Sequence, residues 1–275
     1  MTQSKKLHPF DQAVRLTENS GIFTGETSHL YQNMVGPYGG MIAAIILNSV
    51  ILHPKCLGDP LALTVNYAAP VKDGSFEIKP MPVRTNRSTQ HWYITLSQEN
   101  EIAAAATIVT AKRKITWSSQ EKNMPAVKHF SEVSPVSTKN LPPWFNQYDT
   151  RPVKGSIPPL FEIKGEKPFK AAQSIQWIRD NPKRKIDFLS LTAFSDSPAP
   201  SIYVRRNKFV PAGTVSFSVY FHASREELDA SAENFVLVDV KSSRISNNYC
   251  DQSGEIWSEN NVILASTTQI IYFKE

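Results

Sequence analysis

Residues 39–52 read GGMIAAIILNSVIL, and after a break at His53 and Pro54 the chain resumes at 61–67 as LALTVNY. The first stretch is apolar almost all round, which predicts a helix enclosed on most sides rather than one lying on a surface. Proline ends it, because proline disfavours the helical conformation in the residue before it. LALTVNY alternates large apolar with small or polar residues, the period of a strand with one buried face. Further strands are predicted at 76–83, 92–97 and 102–110, with turns at Gly74 and at Glu99 and Asn100.

The same programme returns later in the chain. A strand at 174–179 leads to an apolar helical segment at 186–194 and then to Asp196, within SDSP. Strands are predicted at 214–222, 235–241, 244–250, 255–258 and 263–273. Without gaps, LSQENEIAAAATI (96–108) lies over WSENNVILASTTQ (257–269) at a constant offset of 161, and Ser97/Ser258, Asn100/Asn261, Ile102/Ile263, Ala104/Ala265 and Thr107/Thr268 are identical. The expected architecture is α+β, two copies of a helix wrapped by an antiparallel sheet. Between them apolar periodicity fades and eight prolines fall between Pro125 and Pro168. This predicts a first domain at 1–112, a linker at 113–140 and a second domain at 141–275, with one strand near 144–153.

Composition narrows the functional classes. Of the 275 residues, 41% are hydrophobic and 20% charged, enough for a packed core and against wholesale disorder. The net charge of +5 suits an anionic partner, but the basic clusters are small: 112–114, 183–185 and 205–206. Nothing resembles a nucleic-acid motif. Each cluster reads as solvated surface charge or as a contact for a phosphate-bearing molecule such as coenzyme A. Two widely spaced cysteines, no apolar stretch behind the first residues and no apolar run near the ~20 residues of a membrane span predict a cytoplasmic protein. Six scattered histidines offer no ligand-like pair, so neither a metal nor another cofactor is expected. The Gly-x-Ser-x-Gly and His-Glu-x-x-His motifs and nucleotide-type glycine loops are missing.

GPYGGMIA (36–43) followed by LTVNYAAP (63–70) is similar to the first half of acyl-CoA thioesterase II-type enzymes. WIR (177–179), AFSD (193–196), GTVSFSVYFH (213–222) and ASTTQ (265–269) resemble the second half in order and spacing. One departure is Pro37 and Tyr38, where family members often carry a polar residue and an aromatic. The resemblance implies a double hotdog, meaning two fused hotdog domains, together with hydrolysis of acyl-CoA, no metal, and an Asp, a Thr or Ser, and a Gln at the active site. By motif these fall on Asp196, Thr214 and Gln269. Open sheet edges make a homodimer the expected assembly.

A structural role competes with each assignment. Gln269 shares a mostly apolar strand face with Ile263, Ala265, Thr267 and Ile271; that face is either exposed or leaves an amide in need of partners. Asp196 reads as a turn or capping residue, or as the carboxylate that takes a proton from water. Strand alternation places Thr214 with Ser216 and Ser218, opposite Val215, Phe217 and Val219. Gly39 and Gly40 serve a tight turn or, with Met41, bring backbone N–H groups close to a substrate oxygen. A hotdog hydratase and a non-catalytic acyl-CoA binder are the alternatives. The first usually needs an Asp/His or Glu/His pair, and the second has no need of all three polar residues.

Overall fold

The computed structural model describes residues 7–155, 170–206 and 209–275. A short helix α1 (Pro9–Ala13) and edge strands β1 (Thr17–Asn19) and β2 (Ile22–Glu26) lead into α2 (Gly39–Ile51). Gly40 through Val50 are buried, as an all-apolar helix requires. Strands β3 (Asp59–Tyr67), β4 (Ser75–Thr85), β5 (Thr89–Gln98) and β6 (Glu101–Ala111) follow where alternation predicted them. The second half contains β7 (Tyr148–Lys154), β8 (Gln173–Asp180), α3 (Phe188–Ser195), α4 (Ser201–Arg206), β9 (Ala212–Phe221), α5 (Arg225–Ser231), β10 (Val236–Lys241), β11 (Ile245–Ser246), β12 (Tyr249–Ser258) and β13 (Ile263–Phe273).

Several local readings change. The strand expected at 244–250 is broken by Asn247 and Asn248, whose positive φ values turn β11 back into β12; asparagine tolerates that conformation. Trp144 lies in a 3₁₀ turn (Pro143–Gln147) ahead of β7 rather than within the strand. Helix α5 was not anticipated, although Ser224 and Glu227 form a capping box at its start. Of the proline-rich connector, 156–168 lies outside the described residues.

The strands join into one antiparallel sheet, in the order β1-β2-β4-β5-β6-β3-β9-β13-β12-β10-β8-β7. Its seam pairs Leu63 with Val219, Thr64 with Ser218 and Val65 with Phe217, and the Thr64 and Ser218 hydroxyls meet at 2.8 Å. The pairing is two-fold about that contact, so Leu63 corresponds to Phe217. Leu63 faces Ile108 and Phe217 faces Gln269 across the next ladder, which makes Ile108 the counterpart of Gln269 and reproduces the offset of 161. Asn100 (φ 66°) and Asn261 (φ 63°) occupy the same left-handed turn position, the physical reason for that identity.

Helices α2 and α3 lie within a single core fed by the inner faces of both halves, including Leu63, Trp92, Ile94, Phe217, Val219, Val238 and Ile256. The outer face of β8, β10 and β12 carries Trp177, Phe235, Leu237 and Trp257, and Met124, Val127 and Phe130 of the linker cover it. Trp177 Nε1 donates to Lys128 O at 2.9 Å, tying the linker down.

Tyr38, the residue before α2, is anchored by aromatic packing. It stacks on Trp144 at 4.6 Å between ring centroids, and its hydroxyl meets that of Tyr148 at 2.6 Å. Asp180 lies opposite Tyr148 in register, 2% exposed, with no hydrogen-bond partner among the described residues at either carboxyl oxygen. Burial pushes this acid up to about 8 against the pull of Arg184. Between pH ~4 and about 8 the folded protein therefore holds a proton that the unfolded chain has released, so stability falls as pH rises through that window and levels off above it. Asp180→Asn should flatten the slope, raising the urea midpoint over wild type most clearly near pH 8. Identical slopes for the two proteins would show that Asp180 does not titrate as a buried acid.

Candidate active site

Asp196 is the C-cap of α3, its N–H donating to Ala193 O at 3.2 Å. The helix that carries it is fixed at the other end by a capping box between Asp187 and Ser190. The half-buried carboxyl faces the first turn of α2. A Cβ added to Gly39 would lie 2.8 Å from Asp196 Oδ2 and 3.3 Å from Tyr67 Oη; one added to Gly40 would lie 2.8 Å from Ala193 O and 2.9 Å from Asp196 Cβ. At Gly40 glycine is required by close approach to backbone, not by turn geometry, while at Gly39 the close neighbours are side-chain tips. Met41 is 1% exposed, and its N–H donates to Tyr38 O at 3.1 Å.

Gln269 is 4% exposed on the inner face of β13, opposite Phe217. Thr214 Oγ1 donates to Gln269 Oε1 at 2.7 Å, which directs the amide N–H₂ end toward Asp196. Burial raises the Asp196 carboxyl to about 7, while hydrogen bonding from the Gly40 backbone and the Gln269 side chain pulls it down. The order is thus hydroxyl to amide to carboxylate, with the helix start closing the other side.

Strand alternation misplaced Thr214. The register of β9 against β13 shifts between Ile270, which faces Ser216, and Ile271, which faces Thr214, leaving Val215 as an extra residue. This bulge turns Thr214 to the side of Phe217 and Gln269 rather than that of Ser216 and Ser218. The counterpart strand bulges at Leu61, between Pro60 and Ala62.

Tyr67 was also missed as a site residue. Its hydroxyl donates to Gly39 O at 2.7 Å, and burial together with the nearby Asp196 charge holds the phenol far above its usual range. The alternation Leu63, Val65, Tyr67 was the available signal, since it ends an inner face on a polar atom. Two basic clusters serve the fold at their central arginines. Arg113 donates to the carbonyls of Pro60, Phe221 and His222, while Arg184 pairs with Asp11 and Asp187. His222 bonds Ser266 at 2.6 Å and takes no part in the constellation.

An acyl-CoA thioesterase N-terminal domain model matches residues 29–111, and an acyl-CoA thioesterase C-terminal domain model matches residues 121–273. The chain belongs to the acyl-CoA thioesterase family. A conserved hot dog fold protein of unknown function from Alicyclobacillus acidocaldarius is 40% identical with a TM-score of 0.92, over 98% of this chain and 99% of that one. A putative thioesterase II from Thermobifida fusca superposes with a TM-score of 0.85 at 15% identity, over 98% and 99% of the two chains. An acyl-CoA thioesterase II, TesB2, from Mycobacterium marinum gives 0.74 at 16%, over 96% and 98%. No curated protein matches. The likeness to the last two structures establishes the double-hotdog fold, and family membership makes the chain a thioester hydrolase. No helix among the described residues is long and apolar enough to cross a membrane.

The two glycines of this thioesterase should respond differently to a methyl group. In Gly40→Ala the new Cβ meets the Tyr38 ring and the backbone at Ala193, so the ring must shift and the two helices separate, with a loss of about 1–3 kcal/mol and a fall in turnover. In Gly39→Ala it meets the tip of the Asp196 side chain, so turnover should fall while the melting temperature changes less. Equal stability of the two variants in thermal melts would contradict this assignment of contacts.

Proposed function

We propose that this thioesterase hydrolyses acyl-CoA to a free fatty acid and coenzyme A by attack of a water that Asp196, Thr214 and Gln269 hold. The observation carrying the reading is the convergence of these three side chains on the glycine-opened end of α2. Asp196 accepts the water's proton as general base, a task suited to a carboxyl raised to about 7. Thr214, whose O–H donates a hydrogen bond to Gln269 Oε1, has lone pairs free to accept the water's second O–H and aim its oxygen. Attack at the thioester carbonyl gives a tetrahedral intermediate that expels a thiolate. With a thiol pKa of ~8.5, that leaving group needs little acid assistance. Gly39, Gly40 and Met41 form the wall against which the thioester lies, and the partial positive charge of the helix start favours the developing oxyanion. Free Cys56 and Cys250 suit a reducing cytoplasm.

The reading assigns one site per chain. Asn48 holds the place in the first half that Asp196 holds in the second. Each precedes a serine whose hydroxyl returns to the carbonyl three residues back, Ser49 to Ile46 at 2.7 Å and Ser197 to Phe194 at 2.8 Å. Asn48 instead donates to Val14 O at 2.8 Å, and Ile108 and Pro60 stand where Gln269 and Thr214 are needed.

Asp196→Asn should lower kcat at least ~10²-fold with little change in melting temperature, the range typical of a lost general base. In wild type, kcat/KM should rise with pH through about 7, because only the ionised carboxylate accepts the proton. Thiol release measured against pH tests both, and a profile with no inflection below pH 8 would remove Asp196 as the base. Gln269→Ile should abolish hydrolysis. Ile108→Gln should leave the rate unchanged and cost about 1–3 kcal/mol of stability by burying an unpaired amide. Wild-type rates in Gln269→Ile would sink the assignment.

A further inference from the structure

One buried amide beside the constellation has an unused donor. Gln252 on β12 is directly opposite Gln269 on β13, so the two side chains rise from the same face of adjacent strands. Gln252 is 1% exposed. Its Oε1 accepts from the Ser201 backbone N–H at 2.9 Å and from Ser201 Oγ at 2.8 Å, and its Nε2 has no partner among the described residues. Two donors on the oxygen fix which end of the amide is which, so the N–H₂ end cannot exchange places with the oxygen. A buried donor left without an acceptor destabilises a fold, and a ligand or a catalytic role accounts for its retention.

Hydrolysis supplies the acceptor. The carbonyl oxygen gains negative charge as water adds, and donors already in position lower that barrier. The Gln269 amide and the Gly40 N–H are both directed at the Asp196 carboxylate, and the Met41 N–H is bonded to Tyr38 O. Gln252 is the neighbouring side chain whose donors remain uncommitted. Resting on the hydrolase reading above, we infer that Gln252 is a further catalytic residue whose Nε2 donates to the thioester carbonyl oxygen as it becomes an oxyanion. Ser201, at the start of α4, is then a positioning residue that presents the amide with its nitrogen toward the substrate.

The test pairs two unreactive coenzyme A derivatives, a ketone analogue (S-(2-oxoalkyl)-CoA), which keeps a carbonyl near the reacting position, and the S-alkyl thioether, which lacks one. Wild type should bind the ketone at least several-fold more tightly. In Gln252→Met that ratio should collapse toward one, and kcat should fall ~10²-fold with KM little changed, as for loss of a single oxyanion donor. Should that variant fold poorly, Gln252→Glu keeps the oxygen that receives Ser201 and reads the same ratio. Ser201→Ala, which removes one of the two bonds fixing the amide, should narrow the ratio in part. A wild-type preference for the ketone that survives unchanged in Gln252→Met or Gln252→Glu overturns the role of Gln252 alone. Wild type that binds neither derivative and releases no thiol from acyl-CoA overturns the hydrolase reading and this inference together.

Discussion

The site depends on one contact, the approach of the first turn of α2 to the last turn of α3. Only residues without a Cβ allow Ala193 O and the Asp196 side chain to lie so close to the backbone at Gly39 and Gly40. That closeness has an electrostatic consequence. It removes water from the Asp196 carboxyl, raising its affinity for a proton, and puts a helix start and an amide donor against it. Desolvation wins over hydrogen bonding, and a carboxyl balanced near neutrality is one that both takes and releases a proton at ordinary pH.

The contact is held from a distance by the β3–β9 seam. Because pairing is two-fold about Thr64 and Ser218, the sheet presents two equivalent positions, one for each helix end. The polar residues were placed at one of them. At the other, Asn48 bonds the backbone of the N-terminal segment, and Ile108 and Pro60 extend the apolar core. The position in the second half carries the polar cluster, with Gln252, Gln269 and Thr267 all buried there. Such polar groups weaken a core unless satisfied, and the first half supplies the nearly all-apolar α2 that compensates.

Tyr38 links the contact to the rest of the molecule. Its ring stacks on Trp144 in the turn ahead of β7, and its hydroxyl bonds Tyr148 on β7, while its carbonyl accepts from the Met41 and Ile42 N–H groups of α2. The segment without periodicity is therefore held twice, by its aromatic residues at the start of α2 and by Met124, Val127 and Phe130 against the back of the sheet. Low periodicity signalled the lack of a regular element there, and says nothing about packing.

By itself the sequence determined the repeating elements and the duplication. Helix α2 follows from an apolar run closed by Pro54, and β3 and β13 from alternation, because these are local consequences of period and backbone chemistry. Asp196 and Gln269 were legible through motif and through the oddity of an amide on an apolar strand face. Thr214 was legible as a residue but not as a direction. One extra residue at Val215 reverses every side chain beyond it, and a bulge is set by pairing with a partner strand, not by the strand's own letters. Gln252 and Ser201 were out of reach for the same reason, since each acquires its meaning from a neighbour distant in the chain, whereas Tyr67 carried a signal in its alternation with Leu63 and Val65. Tertiary structure alone decided which polar atoms face one another, because burial and hydrogen bonding are properties of the assembled neighbourhood.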